Sequence, residues 1–70
     1  MNNFIIREGE EFKKLGQLLK VCNMVSSGAE AKTVINEGLV KVNGEVCEMR
    51  GKKIHRGDKV IFNEKEVNII

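Results

Sequence analysis

Two groups of residues in this chain have types and spacings that suit the binding of an anion. In the first group, Ser27 precedes Gly28 and stands three residues before Glu30, which is the S-x-x-E spacing of a capping box at a helix start. Backbone N–H groups at a helix start carry a partial positive charge, and a glycine there leaves them open to a phosphate oxygen. We therefore expect Ser27 and Gly28 to cap a helix and to be candidate phosphate contacts.

The second group is a cationic segment between Met49 and Lys59. It contains five cations and one aspartate, a local balance of +4 in a chain whose net charge is +2. The rest of the chain is therefore net acidic, so the positive charge is concentrated in this segment. Four of its cations surround Gly51 and Gly57 in what we expect to be a loop that follows a phosphate backbone: Arg50, Lys52, Lys53 and Arg56.

A first helix is predicted before the capping box. Apolar residues recur at helical spacing from Phe12 to Cys22, and the acidic residues Glu10 and Glu11 suit the start of such a helix. Gly16 within this stretch costs about 1 kcal/mol relative to alanine in a helix. Its presence indicates a close approach of another backbone.

A second helix is predicted to begin at the capping box and to end at Gly38. Glycine adopts the left-handed conformation that commonly stops a helix. The apolar residues Ala31, Val34 and Ile35 share one side of this helix, which we expect to be buried. Lys32 falls away from that side and is expected to be exposed.

The period of the apolar residues changes from helical to alternating after the second helix. Val40 and Val42 point one way and Lys41 the other, which predicts a strand with its lysine exposed. Asn43-Gly44 is a strong signal for a tight hairpin turn, and Val46 continues the chain on the far side. The lysine and the turn asparagine are thus both accessible in this prediction.

Further strands are predicted at residues 3–7, 59–62 and 66–70. The predicted fold class is therefore α+β, with two helices packed on a small, mostly antiparallel β-sheet. No linker or repeat divides the sequence, so residues 1–70 are predicted to form a single domain. A domain of this size has no room for a deep catalytic cleft.

The composition disfavours several other classes of function. Cys22 and Cys47 lack the spacing of a zinc site, and His55 has no recognisable nucleophile, so no metal, cofactor or enzymatic activity is expected. Free cysteines suit the reducing cytoplasm, and neither an export signal nor a stretch of about 20 apolar residues is present. Met24 and Met49 are expected to fill gaps in the core.

The motifs from Phe12 to Phe62 resemble the small RNA-binding domain first described in the fourth protein of the bacterial small ribosomal subunit. The core of that family is called the alpha-L motif. The family pattern A-x-x-L-I-x-x-G-x-V-x-V-N-G is matched from Ala31 to Gly44, with Val34 in place of leucine. The Gly-Asp pair that closes the family pattern is matched by Gly57-Asp58. This resemblance implies the same fold and an RNA-binding function.

Two departures from the family pattern give the resemblance more detail. Gly28 stands where the family has arginine, and Gly16 stands where it has aspartate. Together with the segments at residues 15–20 and 50–53, these departures are similar to the stand-alone short proteins of the YaaA and YbcJ type. Those proteins are linked to RNA binding and to ribosome assembly.

The resemblance implies a non-enzymatic protein that recognises structured RNA, with ribosomal RNA and a ribosomal subunit as the expected partners. We expect a cytoplasmic monomer with no membrane partner and no small-molecule substrate. The absence of Trp and Tyr favours recognition of the RNA backbone and shape over stacking on bases. The residues expected to contact RNA are Lys14, Ser27, Gly28, Lys32, Lys41 and Asn43 from the resemblance, with Arg50, Lys52, Lys53 and Arg56 from the cationic segment.

Two other functions fit parts of the sequence. In the first, the protein is an adaptor whose basic loop docks on an acidic protein partner. The second is a ubiquitin-like sulfur carrier, because Asn43-Gly44-Glu45-Val46 also occurs in such small sheet-rich proteins. A carrier needs a flexible Gly-Gly tail, whereas this sequence ends in Val67-Asn68-Ile69-Ile70. A target in double-stranded DNA is disfavoured because the second helix lacks side chains that read bases.

Overall fold

A computed structural model describes residues 2–70, so Met1 of the predicted domain lies outside the described residues. This part of the chain contains two helices and seven strands. In chain order they are β1 (Asn2–Phe4), β2 (Phe12–Lys14), α1 (Leu15–Val21), α2 (Gly28–Asn36), β3 (Val40–Val42), β4 (Glu45–Val46), β5 (Lys53–His55), β6 (Lys59–Phe62) and β7 (Lys65–Ile69).

The strands form two sheets that share one hydrophobic core with the helices. Five strands lie in the order β1-β7-β6-β3-β4, and β2 pairs with β5 in a separate two-stranded sheet. The pair β1 and β7 is parallel, and the other pairs are antiparallel. The buried side chains of both helices and both sheets belong to one cluster. The predicted α+β fold, with two helices on a mostly antiparallel sheet, is confirmed.

Helix α2 and strand β3 bury the residues that their periodicity predicts. Ala31, Val34 and Ile35 of α2 are all buried, and so are Val40 and Val42 of β3. Full burial of a side chain such as Val or Ile stabilises the fold by about 1.5 to 3 kcal/mol. The lysines of both elements remain exposed, as predicted.

Positive backbone φ angles occur at the predicted stop and turn signals. Gly38 ends helix α2 with a φ of +73°. Asn43 and Gly44 join β3 to β4 with φ angles of 53° and 86°, the signs required by a type I′ hairpin turn. Asn63 and Glu64 join β6 to β7 in the same way, with φ angles of 50° and 67°. Both hairpins therefore have two-residue loops.

The first helix begins later than its apolar spacing predicts. Residues 12–14 form β2, which lies antiparallel to β5 with Phe12 opposite His55. Glu10 and Glu11 consequently precede a strand, and the first turn of α1 contains no acidic residue. Pairing with β5 outweighs the helical period here, and the helix begins at Leu15.

Three smaller predictions about local structure are corrected by the fold. The predicted strand at residues 3–7 ends at Phe4. Lys53 lies in strand β5 and not in a loop. Met24 is buried as expected, but Met49 is 67% exposed. Met49 opens a turn that is closed by a 3.1 Å hydrogen bond from the Lys52 N–H to the Met49 carbonyl, which leaves its side chain toward solvent.

Candidate functional site

The start of helix α2 is a capping box with one variation. The hydroxyl of Ser27 accepts a 3.2 Å hydrogen bond from the Glu30 N–H, as the S-x-x-E spacing predicts. The carboxylate of Glu30 accepts a 2.8 Å hydrogen bond from the N–H of Ser26, one residue earlier than in the usual box. The N–H groups of Gly28 and Ala29 have no acceptor among residues 2–70. They are therefore available to an anion.

This helix start opens onto a shallow depression of about 430 Å³, which we call the helix-side depression. Its volume falls within the usual range of ligand sites, about 300 to 1,000 Å³. Three of its seven lining residues are cations and none is acidic, so it attracts negative charge. The lining residues are Lys14, Gly16, Gln17, Lys20, Gly28, Arg50 and Gly51.

Helix α1, with Lys14 immediately before it, supplies one wall of the helix-side depression through residues spaced three apart. Lys14, Gln17 and Lys20 are exposed, while Leu15 and Leu18 turn into the core. This separation follows from the helical period, because residues three apart lie on the same side of a helix. The three polar side chains make no hydrogen bond or ion pair within the described part of the chain.

The turn at residues 49–52 supplies another part of the lining, through Arg50 and Gly51, and is attached to the start of α1. The Leu15 N–H donates to the Lys52 carbonyl at 2.9 Å, and the Gly16 N–H donates to the Arg50 carbonyl at 3.1 Å. The close approach predicted at Gly16 is confirmed by these contacts. They place Arg50 in the same depression as Gly28, so the cationic segment begins beside the cap of the second helix.

A second group of polar residues connects two turns at another part of the molecule. We call it the turn cluster and define it as Asn43, His55, Asp58 and Lys59. The Asn43 side-chain amide donates to Asp58 Oδ1 at 3.0 Å, and Asn43 Oδ1 accepts from the Lys59 N–H at 2.9 Å. The His55 N–H donates to Asp58 Oδ2 at 2.7 Å. The hairpin turn and the Gly57-Asp58 turn are thereby joined.

The charge state of Asp58 follows from these contacts. Partial burial alone raises the pKa of the Asp58 carboxyl. The hydrogen bonds from Asn43 and from the His55 backbone, with the charges of His55 and Lys52, outweigh this effect and hold the pKa below its ordinary value. Asp58 therefore acts as an ionised acceptor at neutral pH.

Arg56 is bonded to the backbone of a distant segment. Its guanidinium donates to the carbonyls of Ile6 at 2.8 Å, Arg7 at 3.1 Å and Glu10 at 3.3 Å. These bonds hold the irregular segment between β1 and β2 against the turn that precedes β6. Arg56 thus has a structural role beside its predicted contact with RNA.

The other predicted contact residues lie outside the helix-side depression. Lys41 stands on the exposed face of the five-stranded sheet, opposite Ile61 and Val46. Lys32 and Lys52 are exposed. Lys53 places its Nζ 5.0 Å from the centre of the Phe12 ring.

The helix-side depression therefore brings together only some of the predicted site residues. Lys14, Gly28 and Arg50 line the helix-side depression, and Ser27 adjoins it as the cap. Asn43, by contrast, lines a shallow surface together with Gly44, Gly57, Lys59 and Ile61. The contact of each residue with RNA stays a prediction.

Four lining residues of the helix-side depression were absent from the predicted set, and two of them, Gln17 and Lys20, have polar side chains. Gln17 and Lys20 line it and also line an adjoining depression with Lys13, Val21 and Asn23. Their spacing from Lys14 on the polar side of the first helix is the signal that identifies them. The apolar spacing of the first helix alone does not show that these two residues share a surface with the start of α2.

The described residues hold no group of three or more His, Cys, Asp or Glu side chains placed to ligate a metal. Cys22 and Cys47 are both free thiols, and burial raises the pKa of Cys22. Neither α1 nor α2 has the length and apolar character of a membrane-crossing helix.

Comparison with known proteins gives matches over most of the sequence. The family model described as "S4 domain" matches residues 5–70. A protein of Bacillus subtilis (strain 168), named probable ribosome maturation protein RlbA, is 42% identical over 50 residues, which is 71% of this chain and 70% of that protein. The solution structure of YbcJ from E. coli is similar with a TM-score of 0.74 and 36% identity, covering 100% of this chain and 87% of YbcJ. YbcJ is described as revealing an alpha-L motif involved in RNA binding.

Proposed function

The chain belongs to the S4 domain family, and from this premise we propose that it binds structured RNA through the helix-side depression. The observation that carries the proposal is that unpaired cations and unpaired backbone N–H donors lie together in the helix-side depression. Lys14, Lys20 and Arg50 line the depression beside Gly28, whose N–H has no acceptor among the described residues. A phosphodiester satisfies both kinds of group at once.

The chemistry of the surface favours RNA backbone recognition over stacking of bases. The three aromatic side chains other than His55 are Phe4, Phe12 and Phe62, and each is half-buried against the protein. Gln17 lies among the cations with an amide that both donates and accepts hydrogen bonds. A 2′-hydroxyl, which is also donor and acceptor, suits such a group.

One of the two named relatives supports a ribosomal target, and the other supports RNA binding. RlbA is named for ribosome maturation and YbcJ is described by its RNA-binding motif. By extension, the proposed ligand of this chain is a structured ribosomal RNA, bound during ribosome assembly in the cytoplasm by a monomer without enzymatic activity. Lys32, Lys41, Lys52 and Lys53 would extend the contact beyond the depression.

Salt dependence of binding tests the proposal. Neutralisation of about four phosphates gives a slope of log K against log salt between about −3 and −4. Filter binding of a labelled RNA stem–loop across a salt series measures this slope, with a DNA duplex of the same sequence as the control. Binding without salt dependence, or equal binding of the DNA duplex, would contradict the proposal.

A pull-down with and without nuclease separates RNA binding from a protein adaptor. We expect ribosomal material to be retained only when its RNA is intact. An acidic protein partner that survives nuclease treatment would instead indicate docking through the basic segment, the adaptor function considered above.

A further inference from the structure

Gly16 lies beneath the side chain of Arg50. A Cβ atom placed on Gly16 would lie 2.6 Å from Arg50 Cγ and 3.3 Å from Arg50 Cδ. Carbon atoms that are not bonded to each other pack at about 3.5 to 4.0 Å. The aliphatic stem of Arg50 therefore fills the volume that any side chain at position 16 would need.

The backbone around Gly16 is less crowded than the side chain above it. The Arg50 carbonyl would lie 3.6 Å from the same Cβ, an ordinary contact distance. The hydrogen bonds from Leu15 to Lys52 and from Gly16 to Arg50 involve main-chain atoms alone. A methyl group at position 16 would thus displace the Arg50 side chain while leaving the turn attached to the helix.

We propose that Gly16 is a positioning residue that seats Arg50 at the helix-side depression, where the guanidinium binds a phosphodiester. The inference rests on the proposed RNA-binding function and adds a specific donor to it. Gly28 contributes no side chain to this surface, and Lys14 and Lys20 contribute single ammonium groups. Arg50 is the residue of the depression whose planar fork can bind two phosphate oxygens at once, so its placement fixes the orientation of the phosphate.

A double-mutant cycle tests this coupling. Arg50→Ala should weaken binding of a labelled RNA stem–loop about tenfold and make the salt slope shallower by about 0.9, the change for one phosphate contact. Gly16→Ala should reproduce most of both effects because it turns the arginine away. The double variant should bind no more weakly than Arg50→Ala alone. Alanine has a higher helix propensity than glycine, so thermal unfolding should stay close to that of the parent protein.

Arg7→Ala is the matched control for Arg50→Ala. Arg7 is also an exposed arginine, but it does not line the depression. RNA binding by Arg7→Ala should stay within about twofold of the parent protein, because the arginine seated on Gly16 is unchanged.

Two results would overturn the inference. In the first, Gly16→Ala binds RNA as tightly as the parent protein although Arg50→Ala binds it more weakly. In the second, adding Gly16→Ala to Arg50→Ala weakens RNA binding by as much as Gly16→Ala does in the parent protein. In either case salt-dependent binding of the parent protein would still support the proposed function. Loss of that salt dependence would remove the proposed function itself.

Discussion

The helix-side depression and the turn cluster are both rich in polar residues, but their side chains differ in bonding. In the described part of the chain, the side chains of Lys14, Gln17 and Lys20 have no protein partner. In the turn cluster, Asn43 and Asp58 use both ends of their side chains in hydrogen bonds to each other and to neighbouring backbone. The polar side chains named here are therefore free in one region and bonded in the other.

This difference separates residues that stabilise the fold from residues that are available to a ligand. A hydrogen bond within the protein contributes about 0.5 to 1.5 kcal/mol to stability, or more when one partner is charged. A free exposed cation contributes little to stability and retains its charge for a phosphate. We therefore expect changes in the depression to alter RNA affinity, and changes in the turn cluster to alter stability.

The largest expected effect is a charge reversal in the depression. Lys14→Glu combined with Arg50→Glu should weaken RNA binding about 100-fold, because two phosphate contacts are lost and two repulsions are added. Both side chains are exposed and unpaired within residues 2–70, so the thermal midpoint should change by no more than about 2 °C. Filter binding and thermal unfolding measured on the same samples give the two quantities.

Arg7→Glu combined with Lys65→Glu provides a control with the same residue types and the same change in net charge. Both residues are exposed and neither lines the depression. If this pair weakened binding as much as the first pair, the whole charge of the protein would control affinity, and the distinction between the two regions would fail.

A smaller effect is expected from Asp58→Ala, and it should appear in the stability of the protein and not in its affinity for RNA. The substitution leaves the Asn43 amide and the His55 N–H without their acceptor, which should lower the free energy of unfolding by about 2 kcal/mol. RNA affinity, measured well below the unfolding temperature, should change less than about twofold. Denaturant unfolding and filter binding test the two parts.

Glu66→Ala is the comparison for that variant. It removes an exposed ion pair of 2.8 Å with Lys59, for which a loss below about 1 kcal/mol is expected. If the two variants lost equal stability, the turn cluster would contribute no more to the free energy of unfolding than a surface ion pair does.

The smallest expected effect is on the pH dependence of stability. Because the pKa of Asp58 is held below its ordinary value in the folded protein, the stabilisation is present above the unfolded pKa of about 3.9 and is lost as pH falls through the folded pKa. The thermal midpoint should therefore decline with acidification in this range. Asp58→Asn should flatten that decline, and an unchanged slope would contradict the role assigned to the carboxylate.

The parts of the fold that local signals specify could be predicted from the sequence. The cap at Ser27, the stop at Gly38 and the hairpin at Asn43-Gly44 each depend on residues a few positions apart. The family pattern identified Gly57-Asp58 as a separate motif. Its bond to Asn43 spans 15 positions, and nothing in the local sequence specifies it.

The errors arose where distant segments meet. Strand β2 forms because β5 is beside it, so the helical period before Leu15 was misleading. Arg56 was predicted to contact RNA, and the sequence did not indicate that carbonyls from 46 to 50 positions away accept hydrogen bonds from its guanidinium. In the candidate site, Lys14, Gly28 and Arg50 were each predicted, whereas the depression that unites them depends on the turn at residues 49–52 packing on α1.

One outer strand of the larger sheet is short. Strand β4 ends that sheet with two residues, so it offers few unpaired main-chain groups to a strand from another molecule. Long, flat outer strands invite sheet extension between copies and lead to aggregation. Even though Val46 on this strand is 52% exposed, a second chain that paired with it would gain a ladder of only two residues, so we expect sheet extension at this edge to be weak.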